Sequence, residues 1–153
     1  MSEIEKRLLT LGETLPPAKA PVANYLGCKR SGDILYVSAR VSEARGEVGT
    51  DLNLAAAQAA TRRVILDLLA IVKADIGDLD LIISVEKLVG FVRAAPHFTQ
   101  LPQVIDGASD LLVALFGEAG RHARTATGAA QLPYGAAVQI EMILLLKSPA
   151  KIG

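Results

Sequence analysis

The fold is decided near the C-terminus, where residues 121–141 read RHARTATGAAQLPYGAAVQIE. Arg124 opens a run of small residues, residues 132–135 supply turn-forming proline and glycine, and a second run extends over residues 137–146. Because two extended runs flank a turn signal, this stretch predicts a β-hairpin.

The second run of this stretch alternates polar and apolar residues. Side chains alternate between the two faces of a strand, so Gln139 and Glu141 are expected to share one face. The other face is expected to carry the apolar residues Val138, Ile140 and Met142. The guanidinium of Arg124 on one strand and the carboxylate of Glu141 on the next are groups from which a site for a small carboxylate ligand can be built.

The rest of the chain predicts alternating helices and strands. Ser2 with Glu5 forms a capping-box pattern before a short helix over residues 2–11, and three prolines then favour an extended connector over residues 15–21. The remaining predictions are paired strands at 22–28 and 34–39, a long helix at 54–76, a strand at 81–92 and a helix at 103–119. On the long helix, Arg62, Arg63, Asp67 and Lys73 are predicted to lie off the centre of the apolar stripe.

Length and composition indicate one domain. The 153 residues fit a single core over about residues 22–147, preceded by the short helix and followed by a tail at 148–153. Hydrophobic residues make up 51% of the chain, a surplus that favours contacts between subunits. Basic and acidic residues number 16 each, which disfavours a protein that binds nucleic acid through phosphate neutralisation.

Cysteine content and hydropathy favour a cytoplasmic protein. Cys28 is the only cysteine, so the chain can form neither an internal disulfide nor a cysteine-based zinc site. The first six residues lack the basic region and apolar core of a signal peptide, and no apolar run approaches the length of a membrane span.

Several motifs occur in the order seen in one known family. Ala-Arg-Thr at 123–125, Leu-Pro at 132–133, Val-Gln-Ile-Glu at 138–141 and Gly-Asp-Ile-Leu-Tyr-Val-Ser at 32–38 resemble the reactive-intermediate deaminase (Rid or YjgF) family, whose older name is L-PSP endoribonuclease. The resemblance implies an α+β, chorismate-mutase-like fold with a mixed sheet backed by two main helices. It also implies a homotrimer with ligand sites in the clefts between neighbouring chains.

The resemblance also implies which residues bind substrate. Arg124 matches the arginine that holds the substrate carboxylate, Tyr25 resembles a tyrosine beside the pocket, and Ser38 matches a pocket serine. Asp106 stands where the family has an asparagine. Each of these residues could instead have only a structural role. Arg124 would then form a salt bridge at a strand end, Tyr25 would be a half-buried aromatic on a strand, and the Ser38 hydroxyl would bond to the backbone.

The catalytic position departs from the family pattern. Gln139 occupies the position of the water-activating glutamate, while Glu141 retains the second carboxylate of the family's Glu-x-Glu pair. An amide cannot take a proton, and loss of a general acid or base costs about 10²- to 10⁴-fold in rate. The serine-glycine-glutamine segment of the family reads Ser38-Ala39-Arg40, which adds a methyl group and a charge near the cleft.

The implied activity is hydrolysis of enamines or imines derived from amino acids, giving 2-oxo acids and ammonia. The resemblance calls for no metal and no organic cofactor, and Gln139 predicts slow turnover. Two alternatives remain: a sensor that binds a small carboxylate without turnover, and an endoribonuclease. The endoribonuclease is disfavoured because the chain has no net charge and few aromatic residues for stacking bases.

Overall fold

The computed structural model describes residues 1–149, which form one mixed sheet and three α-helices. The helices are α1 (Glu3–Thr10), α2 (Leu54–Ile76) and α3 (Leu101–Phe116). The strands are β1 (Cys28–Ser31), β2 (Ile34–Val41), β3 (Ile82–Arg93), β4 (Ala123–Ala129) and β5 (Val138–Leu146). Residues 150–153 of the predicted tail lie outside the described residues.

The strand order in the sheet is β1-β2-β5-β3-β4. Strand β5 pairs antiparallel with both β2 and β3, and β4 pairs in parallel with β3. The predicted hairpin of β4 and β5 is therefore wrong, because β3 lies between them. The aliphatic side of β5 is buried at the centre of the sheet, whereas β4 has only small residues besides Arg124 and forms an edge.

One face of the sheet is covered by helices. Helix α2 packs on β2 and β5, and α3 packs on β3 and β4. The two helices also contact each other closely at Gly107, where an added Cβ atom would lie 2.3 Å from the carbonyl oxygen of Gln58. The core lies in this layer, and the prediction of two main helices behind a mixed sheet is confirmed.

The opposite face of the sheet is open within residues 1–149. It carries exposed or half-buried apolar side chains from three strands, namely Tyr36, Val89, Phe91 and Ile143. Gln139 and Glu141 lie on this same face, because they pair with Phe91 and Val89 while Val138, Ile140 and Met142 are buried. The predicted alternation along β5 is confirmed.

The short N-terminal helix is fixed by the predicted capping box. The Ser2 hydroxyl accepts from the backbone N–H of Glu5, and the Glu5 carboxylate accepts from the backbone N–H of Ser2 at 2.9 Å. The same carboxylate accepts a hydrogen bond from Lys73 of α2. Helix α1 is thereby tied to the long helix.

Three predicted boundaries differ from the structure. Residues 22–27 do not form a strand, and only residues 28–31 pair with β2. Helix α3 begins at Leu101, before the predicted start, because the first turn of a helix tolerates the proline that follows. It ends at Phe116, because Gly117 adopts a positive φ of 61° and a short 3-10 helix follows.

No helix within residues 1–149 combines the length and the apolarity needed to cross a bilayer.

Candidate functional site

Arg124 is held by hydrogen bonds at the start of β4. It pairs with Leu88 of β3, which places its side chain on the face covered by helices. Its Nη1 donates to Asp106 Oδ1 at 2.7 Å and to Ser109 Oγ at 3.2 Å, both on α3. The structure thus brings together two of the predicted substrate-binding residues, Arg124 and Asp106, as an ion pair.

His122 extends this hydrogen-bonded group. Its Nδ1 lies 2.6 Å from the carbonyl oxygen of Gly120, and since a carbonyl only accepts, Nδ1 carries a hydrogen. Its Nε2 lies 3.0 Å from Ser109 Oγ. Ser109 therefore links the imidazole to the Arg124 guanidinium. Arg121 is not part of the group, because it is exposed and pairs with Glu118 at 3.5 Å.

The Arg124 guanidinium keeps part of its donor set free of protein partners. Within residues 1–149, its hydrogen bonds to side chains all run through Nη1, and Nε and Nη2 make none. The Arg124 side chain as a whole remains 25% exposed. A guanidinium edge with two parallel N–H groups matches a carboxylate. Asp106 fixes the orientation of the arginine without occupying this fork.

A cavity of about 380 Å³ lies beside β2, whereas Arg124 lies on β4 at the other side of the sheet. The cavity is next to residues 39–41 of β2, which do not pair with β1. Its volume is within the range of small-molecule sites. Two of the predicted residues, Tyr25 and Gln139, line it. Its wall also includes Lys19, Arg40, Arg45, Asp67 and Tyr134, and the sequence analysis places Arg40 near the cleft.

Tyr134 is the strained residue of this cavity. Its φ of 60° is the only positive value at a non-glycine residue among residues 1–149, and bulky residues rarely adopt that region. The Arg45 guanidinium holds it in place by donating to the Tyr134 carbonyl and by lying 5.9 Å from the ring centroid. Such strain is retained when the surroundings enforce it, and it clusters at binding sites.

Two other predicted residues do not line the cavity. The Ser38 hydroxyl donates to the carbonyl of Leu26 at 2.6 Å and so fastens the loop before β1 to β2. Glu141 lies on the open face of the sheet, opposite Val89, and is exposed. Neither therefore joins Gln139 in the wall of the cavity.

Asp67 is a cavity residue that the sequence analysis did not identify as part of the site. It was predicted to lie off the centre of the apolar stripe of α2, and its side chain is only 4% exposed. The helical spacing indicates this burial. Asp67 lies seven residues after Ala60, three after Val64 and four before Ile71, so the four residues share one helix face, and the other three are buried.

Cys28 is not placed for nucleophilic chemistry. It is buried, and burial raises the pKa of its thiol to about 12, with a smaller contribution from the charge of Asp75. The thiolate is the reactive form, so this cysteine is inert in the folded protein. Among residues 1–149, no three His, Cys, Asp or Glu side chains are grouped as a metal site would require.

Known proteins resemble this chain over most of its length. The family model described as "YjgF/chorismate mutase-like, putative endoribonuclease" matches residues 5–144. "Protein TCP17" of Trypanosoma cruzi is 40% identical over an alignment of 152 residues, and the match covers 95% of this chain and 95% of that protein.

Two solved structures are also similar. Protein Atu1372 of Agrobacterium tumefaciens, of unknown function, is 43% identical with a TM-score of 0.89, over 95% of this chain and 93% of that one. A "putative endoribonuclease" of Shewanella oneidensis is 30% identical with a TM-score of 0.90, over 94% and 99%. The chain belongs to the YjgF/chorismate mutase-like family, and the predicted fold class is confirmed.

Proposed function

We propose that this member of the YjgF family binds a small carboxylate-bearing metabolite, with the carboxylate held by the Arg124 guanidinium. The observation that carries the proposal is the hydrogen bonding of this arginine, which uses Nη1 for Asp106 and Ser109 and leaves Nε and Nη2 to a ligand. Two aligned donors on a fixed guanidinium give a carboxylate both affinity and orientation.

The complete site is proposed to form between two chains of a homotrimer. The Arg124 group and the cavity with Tyr25 and Gln139 belong to different ends of the strand order, β4 and β2. The uncovered sheet face supports association, because it exposes apolar side chains from three strands. In the trimer, Arg124 of one chain would face the cavity of its neighbour, as the clefts of the family imply.

The proposed reaction is hydrolysis of an enamine or imine of a 2-oxo acid. Water adds to the imine carbon, and the resulting carbinolamine loses ammonia to leave the carbonyl group. The Gln139 amide can orient water through its carbonyl oxygen but cannot remove its proton. We therefore expect turnover to be slower than in an enzyme with glutamate at this position, by about 10²- to 10⁴-fold.

The second candidate is a sensor that binds the carboxylate and does not turn it over. The specific observation in its favour is the absence of a carboxylate at position 139, together with the placement of Glu141 outside the cavity. RNA cleavage, which the names of some relatives suggest, is less well supported. Lysine plus arginine equals aspartate plus glutamate, and aromatic residues make up 4% of the chain.

The test combines binding and turnover. Short 2-oxo acids are titrated against the natural protein by calorimetry, and ammonia release is measured from freshly generated 2-aminoacrylate and bulkier enamines, with an authentic family deaminase as control. Binding with slow release supports the enzyme, and binding with no release above the uncatalysed rate supports the sensor. If no 2-oxo acid binds while a single-stranded RNA is cleaved, the proposal is wrong.

A further inference from the structure

The Ser109 hydroxyl lies between the imidazole of His122 and the guanidinium of Arg124. Its Oγ is 3.0 Å from His122 Nε2 and 3.2 Å from Arg124 Nη1. A serine within a helix can donate to the carbonyl oxygen four residues earlier, but within residues 1–149 the Ser109 hydroxyl makes only these two contacts. The hydroxyl is therefore part of the group around Arg124 and adds nothing to the hydrogen bonding of its own helix.

The chemistry of the four groups fixes which atom donates at every contact. A carbonyl only accepts, so the 2.6 Å contact with Gly120 places a hydrogen on His122 Nδ1 and leaves Nε2 of the neutral ring as an acceptor. A guanidinium only donates, so Arg124 Nη1 donates to Ser109. The Ser109 hydroxyl must then donate to Nε2. The hydrogen bonds run in one direction from Arg124 to the Gly120 carbonyl, an arrangement in which each bond polarises the next.

Both ends of this chain of hydrogen bonds are held in place. Gly120 packs so closely on α3 that an added Cβ atom would lie 2.3 Å from the carbonyl oxygen of Leu112. At the other end, Asp106 lies three residues before Ser109 on the same face of α3, and Arg124 Nη1 donates to both. Two acceptors on one nitrogen restrict rotation of the guanidinium. Its Nε and Nη2 are thereby oriented before a ligand arrives.

We propose that His122 is a positioning residue for the carboxylate site. By accepting the hydrogen of the Ser109 hydroxyl, it keeps a lone pair of that oxygen directed at Arg124 and so holds the guanidinium in its binding orientation. His122 acts through Ser109 and does not touch the ligand. The inference rests on the proposed function, because the ligand carboxylate is assigned to Arg124. Without His122 the hydroxyl is free to rotate, and ordering Arg124 when the ligand binds then reduces the affinity.

The test uses two substitutions that each replace one nitrogen of the imidazole. In His122→Gln the amide oxygen reaches about as far as Nε2 and can accept from Ser109, whereas the shorter amide of His122→Asn can replace only Nδ1. Calorimetric titration of a short 2-oxo acid should give His122→Gln an affinity within about twofold of the natural protein. His122→Asn should bind about three- to tenfold more weakly, the range expected when one side chain must be ordered on binding. Equal affinities in the two variants would overturn the inference.

The matched control is the other histidine of the chain. His97 is exposed, and His97→Asn should bind as the natural protein does. If Arg124→Lys weakens binding while His122→Asn does not, the inference is wrong and the proposed function stands. If the natural protein binds no 2-oxo acid, both are wrong.

Ser109→Ala tests whether the effect of His122 passes through the hydroxyl. It should weaken binding about three- to tenfold. The double variant Ser109→Ala/His122→Asn should bind no more weakly than Ser109→Ala alone, because both changes remove the same link. Losses that add in the double variant would show that His122 acts by another route, and would overturn the inference.

Nitrogen NMR of the natural protein tests the hydrogen assignment even if these variants fail to fold. At about pH 8, above the usual titration range of histidine, the His122 ring should carry its hydrogen on Nδ1, and His97→Asn identifies its signals by removing those of the other ring. A ring with its hydrogen on Nε2 could not accept from Ser109, and this result would overturn the inference.

Discussion

The side chains of Arg124 and Gln139 extend from opposite faces of the same sheet. Arg124 pairs with Leu88, whose side chain is buried under the helices, whereas Gln139 pairs with Phe91 on the open face. Residues that pair across neighbouring strands share a face. One chain therefore does not direct the guanidinium and the amide toward the same ligand, and a shared site requires a second chain.

The first prediction is that the protein is a homotrimer joined through the open sheet face. Phe91→Arg should dissociate it, because a charge placed in an apolar interface must be desolvated without a partner. Light scattering should report about three subunit masses for the natural protein and one for the variant. The control is Val113→Arg, an exposed apolar residue on α3, which should leave the mass unchanged. A natural protein that is a monomer at micromolar concentration would contradict both the trimer and the shared site.

The second prediction is that Arg124→Lys weakens carboxylate binding about ten- to a hundredfold. Lysine keeps the charge but replaces two aligned donors with one ammonium, and a lost charge-assisted hydrogen bond costs about 1.5 to 3 kcal/mol. Calorimetric titration of a short 2-oxo acid measures the change. Arg121→Lys, at an exposed position three residues away, serves as control and should bind normally. Equal affinities in all three proteins would mean that Arg124 has only a structural role.

The sequence predicts helices better than strand partners in this fold. The long helix at 54–76 was located to the residue, because its apolar spacing extends over many turns and is local information. The pairing of β4 was missed, because it depends on β3, more than thirty residues earlier in the chain. Eight residues separate β4 from β5, more than most hairpin loops contain, and this length is the sequence signal against the hairpin.

The sequence predicts which residues form the candidate site but not how they contact one another. The family motifs locate Arg124, Asp106, Tyr25 and Gln139, but they do not show that Asp106 binds the arginine or that Tyr25 and Gln139 share a cavity. Tyr134, the residue of positive φ, contacts Arg45, which lies 89 residues away in the chain. Such long-range contacts leave no periodic pattern, so sequence reasoning has nothing from which to derive them.

The third prediction concerns stability in acid. Hydrogen bonds from Lys73 and from Ser2 lower the pKa of Glu5 from 4.5 to about 2. A carboxyl whose pKa is lowered by folding stabilises the protein above its unfolded pKa, and this contribution is lost as the pH falls from about 4.5 toward 2. Urea unfolding of Glu5→Gln should show a lower free energy of unfolding at pH 7 and a smaller decline over this range. The control is Glu3→Gln, because the Glu3 side chain is 66% exposed, and this variant should follow the natural protein.

The fourth prediction is that the thiol of Cys28 does not react in the folded protein. Its pKa of about 12 leaves almost no thiolate at neutral pH, and the side chain is buried. A colorimetric thiol reagent should label the native protein at the rate of global or local unfolding and label the urea-unfolded chain at once. Rapid labelling of the native protein at pH 7 would show that the strand β1 opens readily.

The fifth prediction is that Gln139→Glu increases the rate of imine hydrolysis. The substitution restores a group that can accept the proton of the attacking water, inside the cavity that Tyr25 also lines. Glu141 lies two residues further along β5, about 6.5 to 7 Å away by strand rise, and outside this cavity. It is therefore too distant to accept that proton directly.

Ammonia release from 2-aminoacrylate should be measured under identical conditions in the natural protein, in Gln139→Glu and in Glu141→Gln. We expect a gain of at least about tenfold in Gln139→Glu, within the range that general base catalysis contributes, and no change in Glu141→Gln. The opposite pattern, a natural protein as fast as an authentic deaminase that loses its rate only in Glu141→Gln, would move the catalytic group to Glu141. The catalytic group would then lie two residues further along β5 on the same open face, opposite Val89 instead of Phe91.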